Sequence, residues 1–474
     1  MSLLRAKAAK LAARVFAVLL LLMLCHWPVM AQPDGSTRGT GFVRLEKIGE
    51  VWTFVDADGK PFFSAGANHA QIGLYLKPTN KAATVERYGK DLLNEQGWFD
   101  KASPAFAKFI DAQIAHLRSW KFNTFGYHTN AEIFDRLPDD VFFIASFSPI
   151  KSQAEYHQSK TPRPDPFDPG FAAEVESKAR KVIERYRNRR NLIGYAWTDG
   201  FGMNLLQLWA QELRNRDAAS AAKKVWIEIL KRKYPDAAAA ARAYNIKSAD
   251  TWDSLVAFTD WKFHNPPTDE EREFKNRIIA KYYEVVSGVC RRLDPNHLVL
   301  GDKARKMNPD EIAAIAPYVD LFFFESYAFG ENTSAMCSEL ARHAGKPVLF
   351  GDGGFGFRRP ERIASGEGPH PDGGKGRQFP TQNEAGLFYA KMMKALSENP
   401  NVLGWHYCGF IEEYDHPDAP ATKTDPNENG FMDPFEKDNE DFLRRVRPAN
   451  EAAIALRASL RPASSGNASS PKVK

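Results

Sequence analysis

The amino-acid sequence predicts an α/β protein built on a (β/α)8 TIM barrel, with a small N-terminal β-hairpin and a helical insertion after strand 4. Three observations support this prediction. Eight short apolar runs are distributed along the chain. Most of them are followed by an amphipathic, helix-like stretch, which is the pattern of buried parallel strands. With 474 residues, the chain is also long enough for one large barrel with insertions.

The eight predicted strands are Phe62–Ala67, Phe122–Tyr127, Val141–Phe147, Leu192–Thr198, Leu298–Gly301, Leu321–Glu325, Val348–Gly351 and Val402–Tyr407. Helical patterning lies between most of them, for example over Ala172–Tyr186, Phe274–Leu293 and Asn383–Leu396. The main alternative is a doubly wound open sheet. It is disfavoured because no glycine-rich phosphate-binding turn follows the first strand.

The first 31 residues predict a signal peptide. A basic segment precedes the apolar run Val15–Leu24, which is too short to span a bilayer. Small residues at Val29 and Ala31 then occupy the positions that signal peptidase requires before Gln32. We therefore expect a secreted or periplasmic protein with no membrane association after cleavage. The alternative is an uncleaved membrane anchor.

The charge balance argues against a nucleic-acid partner. The formal net charge is +5, but four of the 64 basic residues lie in the first 31 residues, which contain no Asp or Glu. The remaining chain carries 60 basic and 59 acidic side chains, a net charge of only +1. No field strong enough to attract a polyanion is therefore expected.

The mature chain is predicted to divide into three segments. Residues 32–60 form the hairpin, since an Asp-Gly turn at Asp58-Gly59 separates alternating patterns. Residues 61–461 form the barrel, interrupted by a helical insertion over residues 205–270. A glycine-rich stretch over residues 353–381 is either a mobile flap over the site or a flexible loop. The Ser- and Lys-rich residues 462–474 are expected to be disordered.

No metal and no organic cofactor are predicted. Cys290, Cys337 and Cys408 remain after signal cleavage, and none forms a CxxC pair, so one disulfide is possible but its partners stay open. The histidines lack HExxH or comparable spacing. An EF-hand-like spacing from Asp425 to Glu436 has no helix before it, which disfavours calcium.

The residues predicted to carry chemistry lie where the barrel strands end, because barrel active sites form there. The candidate catalytic carboxylates are Asp352, Asp199 and Glu325, and the candidate substrate-binding residues are Trp197, Trp405, His406, Tyr407, Tyr327, Asn68, His69 and His128. Carboxylates among aromatic rings suit cleavage of a glycosidic bond. One carboxyl protonates the leaving oxygen, another attacks the sugar or activates water, and the rings stack on sugars. The alternatives are helix N-caps for the aspartates and core packing for the two tryptophans.

Several segments resemble beta-agarase-like enzymes of glycoside hydrolase family 50, which are TIM barrels of the retaining clan A. These segments are Asn191-Leu192-Ile193-Gly194-Tyr195, Leu230-Lys231-Arg232-Lys233-Tyr234, Tyr282–Ser287, Asp294–Gly301, Lys346-Pro347-Val348-Leu349, Gly404-Trp405-His406-Tyr407 and Asn429–Asp433. They occur in the family's order, and the resemblance spans roughly residues 40–460. It implies an exported glycoside hydrolase that cleaves a polysaccharide or oligosaccharide, agarose- or galactan-like.

The usual catalytic glutamates of that family are replaced in this chain. The resemblance places Asp352 on the nucleophile, Asp199 on the Asn that precedes the acid/base, and Gly200 on the acid/base itself. Either Asp199 or Glu325 then transfers the proton, or the acid/base function is absent. The alternative function is accordingly a catalytically inactive carbohydrate-binding TIM barrel.

Overall fold

The computed structural model describes residues 39–461 apart from 79, 152, 329, 331, 358–377 and 413–428. Eight parallel strands close into a barrel in chain order, which confirms the predicted fold class. Barrel strands 1 to 8 are Ser64–Ala67, Thr124–Phe125, Phe142–Ser146, Leu192–Phe201, Leu298–Ala304, Phe322–Glu325, Val348–Gly353 and Val402–Tyr407. The predicted signal peptide, tail and most of the glycine-rich stretch lie outside the described residues.

The N-terminal hairpin is part of a three-stranded antiparallel sheet. Its strands are Arg44–Ile48, Val51–Val55 and Pro61–Phe62. The first barrel strand therefore begins at Ser64 rather than at Phe62, because Phe62 pairs with this small sheet. The Phe62 ring stacks on Phe142 at the start of barrel strand 3, with ring centroids 3.9 Å apart. The sheet thus covers the end of the barrel at which the strands begin.

Helices surround the barrel. The helices outside the insertion are Ile72–Tyr75, Lys81–Tyr88, Pro104–Ser119, Ala131–Phe134, Gln153–Ser159, Phe171–Tyr186, Pro309–Ile315, Thr333–Ala344, Gln382–Ser397 and Glu440–Ala458. No helix in the described part of the chain is both long and apolar enough to cross a membrane.

The insertion after strand 4 is helical, as the sequence predicts. Its helices are Met203–Arg214, Ala221–Lys233, Ala237–Ala243 and Trp252–Ala257, followed by the long barrel helix Asp269–Leu293. A buried ion pair between Arg214 and Glu271, 2.8 Å apart, ties the first of these helices to the last. The buried Lys223 ammonium donates to the Arg214 carbonyl at 2.7 Å. The Arg214–Glu271 pair thus joins the insertion to this barrel helix, and the Lys223 contact joins two helices within the insertion.

The alternation of strand residues between the two sides of the barrel wall decides what faces the interior. Barrel strand 8 shows this clearly. His406 points inward, where its ring fills the space beside Gly66 that any Cβ at that position would occupy. Trp405 instead packs against Tyr389 of the outer helix Gln382–Ser397, with centroids 4.8 Å apart. Cys290, Cys337 and Cys408 are all buried, and none of them forms a disulfide.

Candidate active site

Three carboxylates from three different strands converge on one lysine at the C-terminal end of the barrel. Lys303, at the end of strand 5, lies with its Nζ 3.0 Å from Asp199 Oδ1 and 3.1 Å from Glu325 Oε2. The same ammonium donates a short hydrogen bond to Asp352 Oδ2. The structure therefore brings together all three carboxylates that the sequence predicts, around a cation that is 1% exposed.

This arrangement keeps two of the carboxylates ionised. Burial by itself would raise the pKa of Asp352, but the Lys303 ammonium, assisted by His69, holds that pKa below its usual value. Burial opposes ionisation of Asp199 as well, yet Lys303 and His128 together lower its pKa strongly. An ionised Asp352 agrees with the predicted nucleophile. The raised pKa that a carboxylic general acid needs is not found at Asp199.

Two histidines cover this cluster from the ends of strands 1 and 2. His69 and His128 both have left-handed backbone conformations, with φ of 64° and 59°. Their rings pack together with centroids 4.6 Å apart. His128 Nε2 lies 2.9 Å from Asp199 Oδ2, and His69 Nε2 lies 4.0 Å from Asp352 Oδ2. Left-handed backbone is unfavourable for residues with a Cβ and tends to occur at functional sites.

Glu325 is held by two cations and is buried. Arg305 donates a short hydrogen bond to Glu325 Oε1, while Lys303 lies near Oε2. Gly200, where the resemblance to family 50 leads us to expect the acid/base residue, has a φ of +67°. A Cβ built on Gly200 would lie 3.6 Å from the Arg305 guanidinium and 3.8 Å from Glu325 Oε1. Arg305 thus lies where a side chain at position 200 would project.

A cavity of about 820 Å³ opens beside this cluster. It lies between the ends of strands 5 and 6 and the helices Pro309–Ile315 and Thr333–Ala344, and its wall includes Gly200, Arg305 and Tyr327. Its volume is within the range of about 300–1,000 Å³ that is usual for small-ligand sites.

The predicted aromatic and histidine contacts from strands 4 and 8 lie in the core. Trp197, Trp405, His406 and Tyr407 are each 0% exposed. Trp197 packs on Tyr283, with centroids 5.1 Å apart, and Trp405 Nε1 donates to the Gly353 carbonyl at 3.1 Å. Their strand-end positions are as predicted, but these rings face the surrounding helices. A sugar therefore cannot stack on Trp197 or Trp405 in this arrangement.

His406 and Tyr407 are bound within the barrel wall. His406 Nε2 lies 2.8 Å from Ser64 Oγ, and burial lowers the pKa of His406 to about 3, so its ring is neutral. The Tyr407 hydroxyl donates to the Phe355 carbonyl at 2.5 Å. Both side chains therefore stabilise the strands that carry Asp352 and the first-strand residues. Neither is accessible to a substrate.

Asn68 and Tyr327 occupy different environments. Asn68 is fully buried, and its Nδ2 donates to the Gly351 carbonyl at 2.8 Å, next to Asp352. It supports the carboxylate-bearing strand from below. Tyr327 lines the cavity, and its hydroxyl donates to Cys408 Sγ at 3.2 Å. Of the predicted substrate-binding residues, Tyr327, His69 and His128 are the ones that lie next to open space.

One group of residues has the proximity of metal ligands. Donor atoms of His69, His128 and Asp352 all lie within 4.8 Å of one another. However, the Lys303 ammonium already contacts Asp352, and a second cation there would be repelled, so we assign no metal to this group. Glu436, the last residue of the EF-hand-like spacing, accepts hydrogen bonds from Arg87 and Tyr88. The first part of that spacing, Asp425 to Glu428, lies outside the described residues.

Two residues of the site were not predicted from the sequence. Lys303 lies two residues beyond the predicted strand Leu298–Gly301, but its contacts with three carboxylates depend on strands that are far apart in sequence. Arg305 lies beyond the predicted end of strand 5, which continues to Ala304 in the structure. The strand-end position of Lys303 is the signal that could have identified it, since a basic residue there faces the same opening as the carboxylates.

A comparison with curated proteins finds a resemblance to a beta-agarase. No family model matches the chain. Beta-agarase B from a Vibrio species is 23% identical over an alignment 442 residues long, which covers 80% of this chain. The match covers 45% of that relative, so the chain spans less than half of its length.

Solved structures show the same likeness in the fold. An agarase (TM-score 0.68, 19% identity) and an exo-beta-agarase (0.67, 18%) both match 90% of this chain, which covers 67% and 66% of theirs. A protein designated PfGH50B has a TM-score of 0.69 at 17% identity, with 90% of this chain and 68% of that chain covered. The chain therefore has the fold of these agarases and resembles the beta-agarase-like enzymes of glycoside hydrolase family 50.

Proposed function

We propose that the protein is an exported glycoside hydrolase that cleaves a polysaccharide or oligosaccharide, agarose- or galactan-like, with Asp352 as nucleophile and Asp199 on the proton-transfer side. The observation that carries this proposal is the convergence of Asp199, Glu325 and Asp352 on Lys303 at the C-terminal end of the barrel. The agarases that the chain resembles support the class of substrate. No organic cofactor enters the proposed reaction.

The spacing of the carboxylates favours a retaining reaction. Asp199 Oδ1 lies 3.0 Å from the Lys303 ammonium, and Asp352 Oδ2 accepts a short hydrogen bond from the same ammonium, so these two oxygens lie closer together than the carboxyl groups of an inverting pair. A separation below that range agrees with the roughly 5–5.5 Å between the carboxyl groups of retaining enzymes. Inverting enzymes need about 6.5–9.5 Å to admit a water. Lys303 also keeps Asp352 in the ionised form that attack on an anomeric carbon requires.

Attack requires a rearrangement above Asp352. This side chain is fully buried, and its Oδ1 accepts no hydrogen bond from the part of the chain that the structure describes. His69 lies over it, with its side chain 16% exposed. We expect the His69 side chain to rotate aside when a sugar enters, which gives Oδ1 access to the anomeric carbon.

A reducing-end assay against algal, plant and bacterial glycans tests the function. We expect cleavage of an agarose- or galactan-like glycan and NMR detection of a first product with retained anomeric configuration. The Asp352→Asn variant should lose activity, while Asp140→Asn, which changes an exposed aspartate paired with Arg118, should keep it. Binding of a glycan without cleavage would instead favour an inactive carbohydrate-binding barrel. Normal turnover by Asp352→Asn would refute the nucleophile assignment.

Export is tested separately. If residues 1–31 are a signal peptide, protein recovered from the medium or periplasm after expression should begin at Gln32. N-terminal sequencing of that fraction measures this directly. Full-length protein retained with membranes would support the anchor alternative.

A further inference from the structure

The proposed hydrolysis leaves the source of the leaving-group proton unexplained. Gly200 offers no side chain where the resemblance places the acid/base residue. Asp199 has a lowered pKa because Lys303 and His128 outweigh the effect of burial, so it holds no proton at neutral pH. Glu325 is buried between Arg305 and Lys303. None of these three positions presents a protonated group to a substrate.

His128 has the geometry that these residues lack. Its side chain is 24% exposed, whereas that of Glu325 is 0% exposed, and the more exposed Asp199, at 33%, is held in its ionised form. One ring nitrogen, Nε2, lies 2.9 Å from Asp199 Oδ2. The other, Nδ1, has no hydrogen-bond partner among the residues that the structure describes. The left-handed backbone at His128, with φ of 59°, is a strained conformation that holds the ring over the carboxylates.

We infer that His128 is the general acid and base of the glycosidase reaction and that Asp199 positions it. This inference rests on the proposed function. A donor atom of His128 lies within 4.8 Å of one on Asp352, close to the roughly 5–5.5 Å that separates acid and nucleophile in retaining enzymes. Imidazole suits this role because its unperturbed pKa of about 6.5 allows it both to give and to accept a proton near neutral pH.

The proton and electron pairs balance over two steps. Asp352 forms a bond to the anomeric carbon as the glycosidic C–O bond breaks, and the leaving oxygen takes that bond's electron pair together with the proton from His128 Nδ1. The neutral imidazole keeps its Nε2–H on Asp199. Water then adds to the anomeric carbon, Nδ1 accepts the water proton, and the bond to Asp352 breaks with its electron pair returning to the carboxylate.

Several charged and titratable groups from neighbouring strands surround the His128 ring. The Asp199 and Asp352 carboxylates both lie near it. The Lys303 ammonium contacts both of these carboxylates, and the His69 ring packs against the His128 ring. The Tyr127 ring packs edge-on at 4.5 Å, and burial raises the pKa of its hydroxyl, so Tyr127 stays neutral.

The test compares substrates that differ only in their need for a proton. On the glycan identified by the panel, His128→Ala should lose roughly 100-fold or more in kcat/KM, as general acids contribute about 10²–10⁴-fold. On a dinitrophenyl glycoside of the same sugar, whose leaving group needs no proton, glycosylation should stay within a few-fold of wild type. Asp199→Asn should change the pH profile of kcat/KM on the natural glycan. His128→Gln, of similar size, provides a second variant if His128→Ala does not fold.

The control is His116→Ala. His116 is also 24% exposed and also faces an aspartate, Asp438 at 3.9 Å, but it lies on the outer helix Pro104–Ser119. It should be active on both substrates. Normal glycan cleavage by His128→Ala, or equal losses on both substrates, would overturn the inference. Loss of wild-type activity in EDTA with recovery in Zn²⁺ would overturn it in favour of a metal. If the wild-type protein cleaves nothing, the proposed function itself fails.

Discussion

Removal of the Lys303 charge should destabilise the protein strongly at neutral pH. Lys303→Met keeps most of the side-chain volume but leaves Asp199, Glu325 and Asp352 without the ammonium that all three contact. Breaking a buried ion pair by removing one partner typically costs about 3–5 kcal/mol, because the remaining charge stays buried. Arg305 still pairs with Glu325, so we expect a loss within this range rather than three times it.

The loss should depend on pH in a defined direction. Because the folded-state pKa of Asp352 is lowered, its contribution to stability is present above the unfolded-state pKa of about 3.9 and is lost as the pH falls below that value. Without Lys303, burial should raise the pKa of Asp352 instead, and the variant should take up protons as the pH falls toward 4. The stability difference between wild type and variant should therefore be largest near pH 7 and smaller near pH 4.

Urea denaturation of both proteins at pH 7 and pH 4 measures this difference. Lys178→Met is the matched control, since Lys178 pairs with Glu174 at 2.8 Å on the surface and should contribute less than about 1 kcal/mol. The double variant Lys303→Met/Asp352→Asn should recover part of the loss, because one unpaired charge is removed. Equal stability of wild type and Lys303→Met at pH 7, or a difference that grows toward pH 4, would refute the reasoning.

Two further predictions concern the barrel wall. Trp405→Ala should lower the free energy of unfolding by about 3–5 kcal/mol, since the indole is fully buried against Tyr389, and thermal denaturation measures this loss. If the stability is unchanged but glycan binding is weaker, Trp405 has its predicted role in stacking on a sugar. Gly200→Ala should lower the free energy of unfolding by about 1–2 kcal/mol, because residues with a Cβ disfavour the left-handed φ of +67° at this position. The nearest atoms, at 3.6 Å, leave room for the methyl group, so no steric clash adds to this cost, and urea denaturation at neutral pH measures it.

The fold was predictable because its signals are local. Each barrel strand is a short apolar run, and the predicted Val402–Tyr407 matches the structure to the residue. Strand 2 is only Thr124–Phe125, shorter than the predicted run Phe122–Tyr127, because the flanking residues leave the barrel ladder. The assignment of Phe62 failed because a hairpin partner and a barrel strand have the same alternating pattern.

The site was predictable in position but not in detail. The convergence of Asp199, Glu325 and Asp352 follows from parallel topology, which places all C-terminal strand ends at one opening. The side of the wall that a strand-end residue faces is not apparent from its position, and Trp197 and Trp405 face the helices. The contacts that Lys303 and His128 make with the carboxylates could not be predicted, because their partners come from other strands, at sequence separations that no spacing motif contains.

Gly200 and Arg305 are best understood together. A side chain at position 200 would project toward the Arg305 guanidinium and Glu325 Oε1, at 3.6 Å and 3.8 Å from its Cβ. A glutamate there would compete with Glu325 for Arg305, and the guanidinium would favour its ionised form, which donates no proton. The left-handed backbone would oppose it as well. We therefore expect that a single Gly200→Glu substitution does not recreate a general acid, because the neighbouring Arg305 guanidinium would keep the new carboxyl ionised.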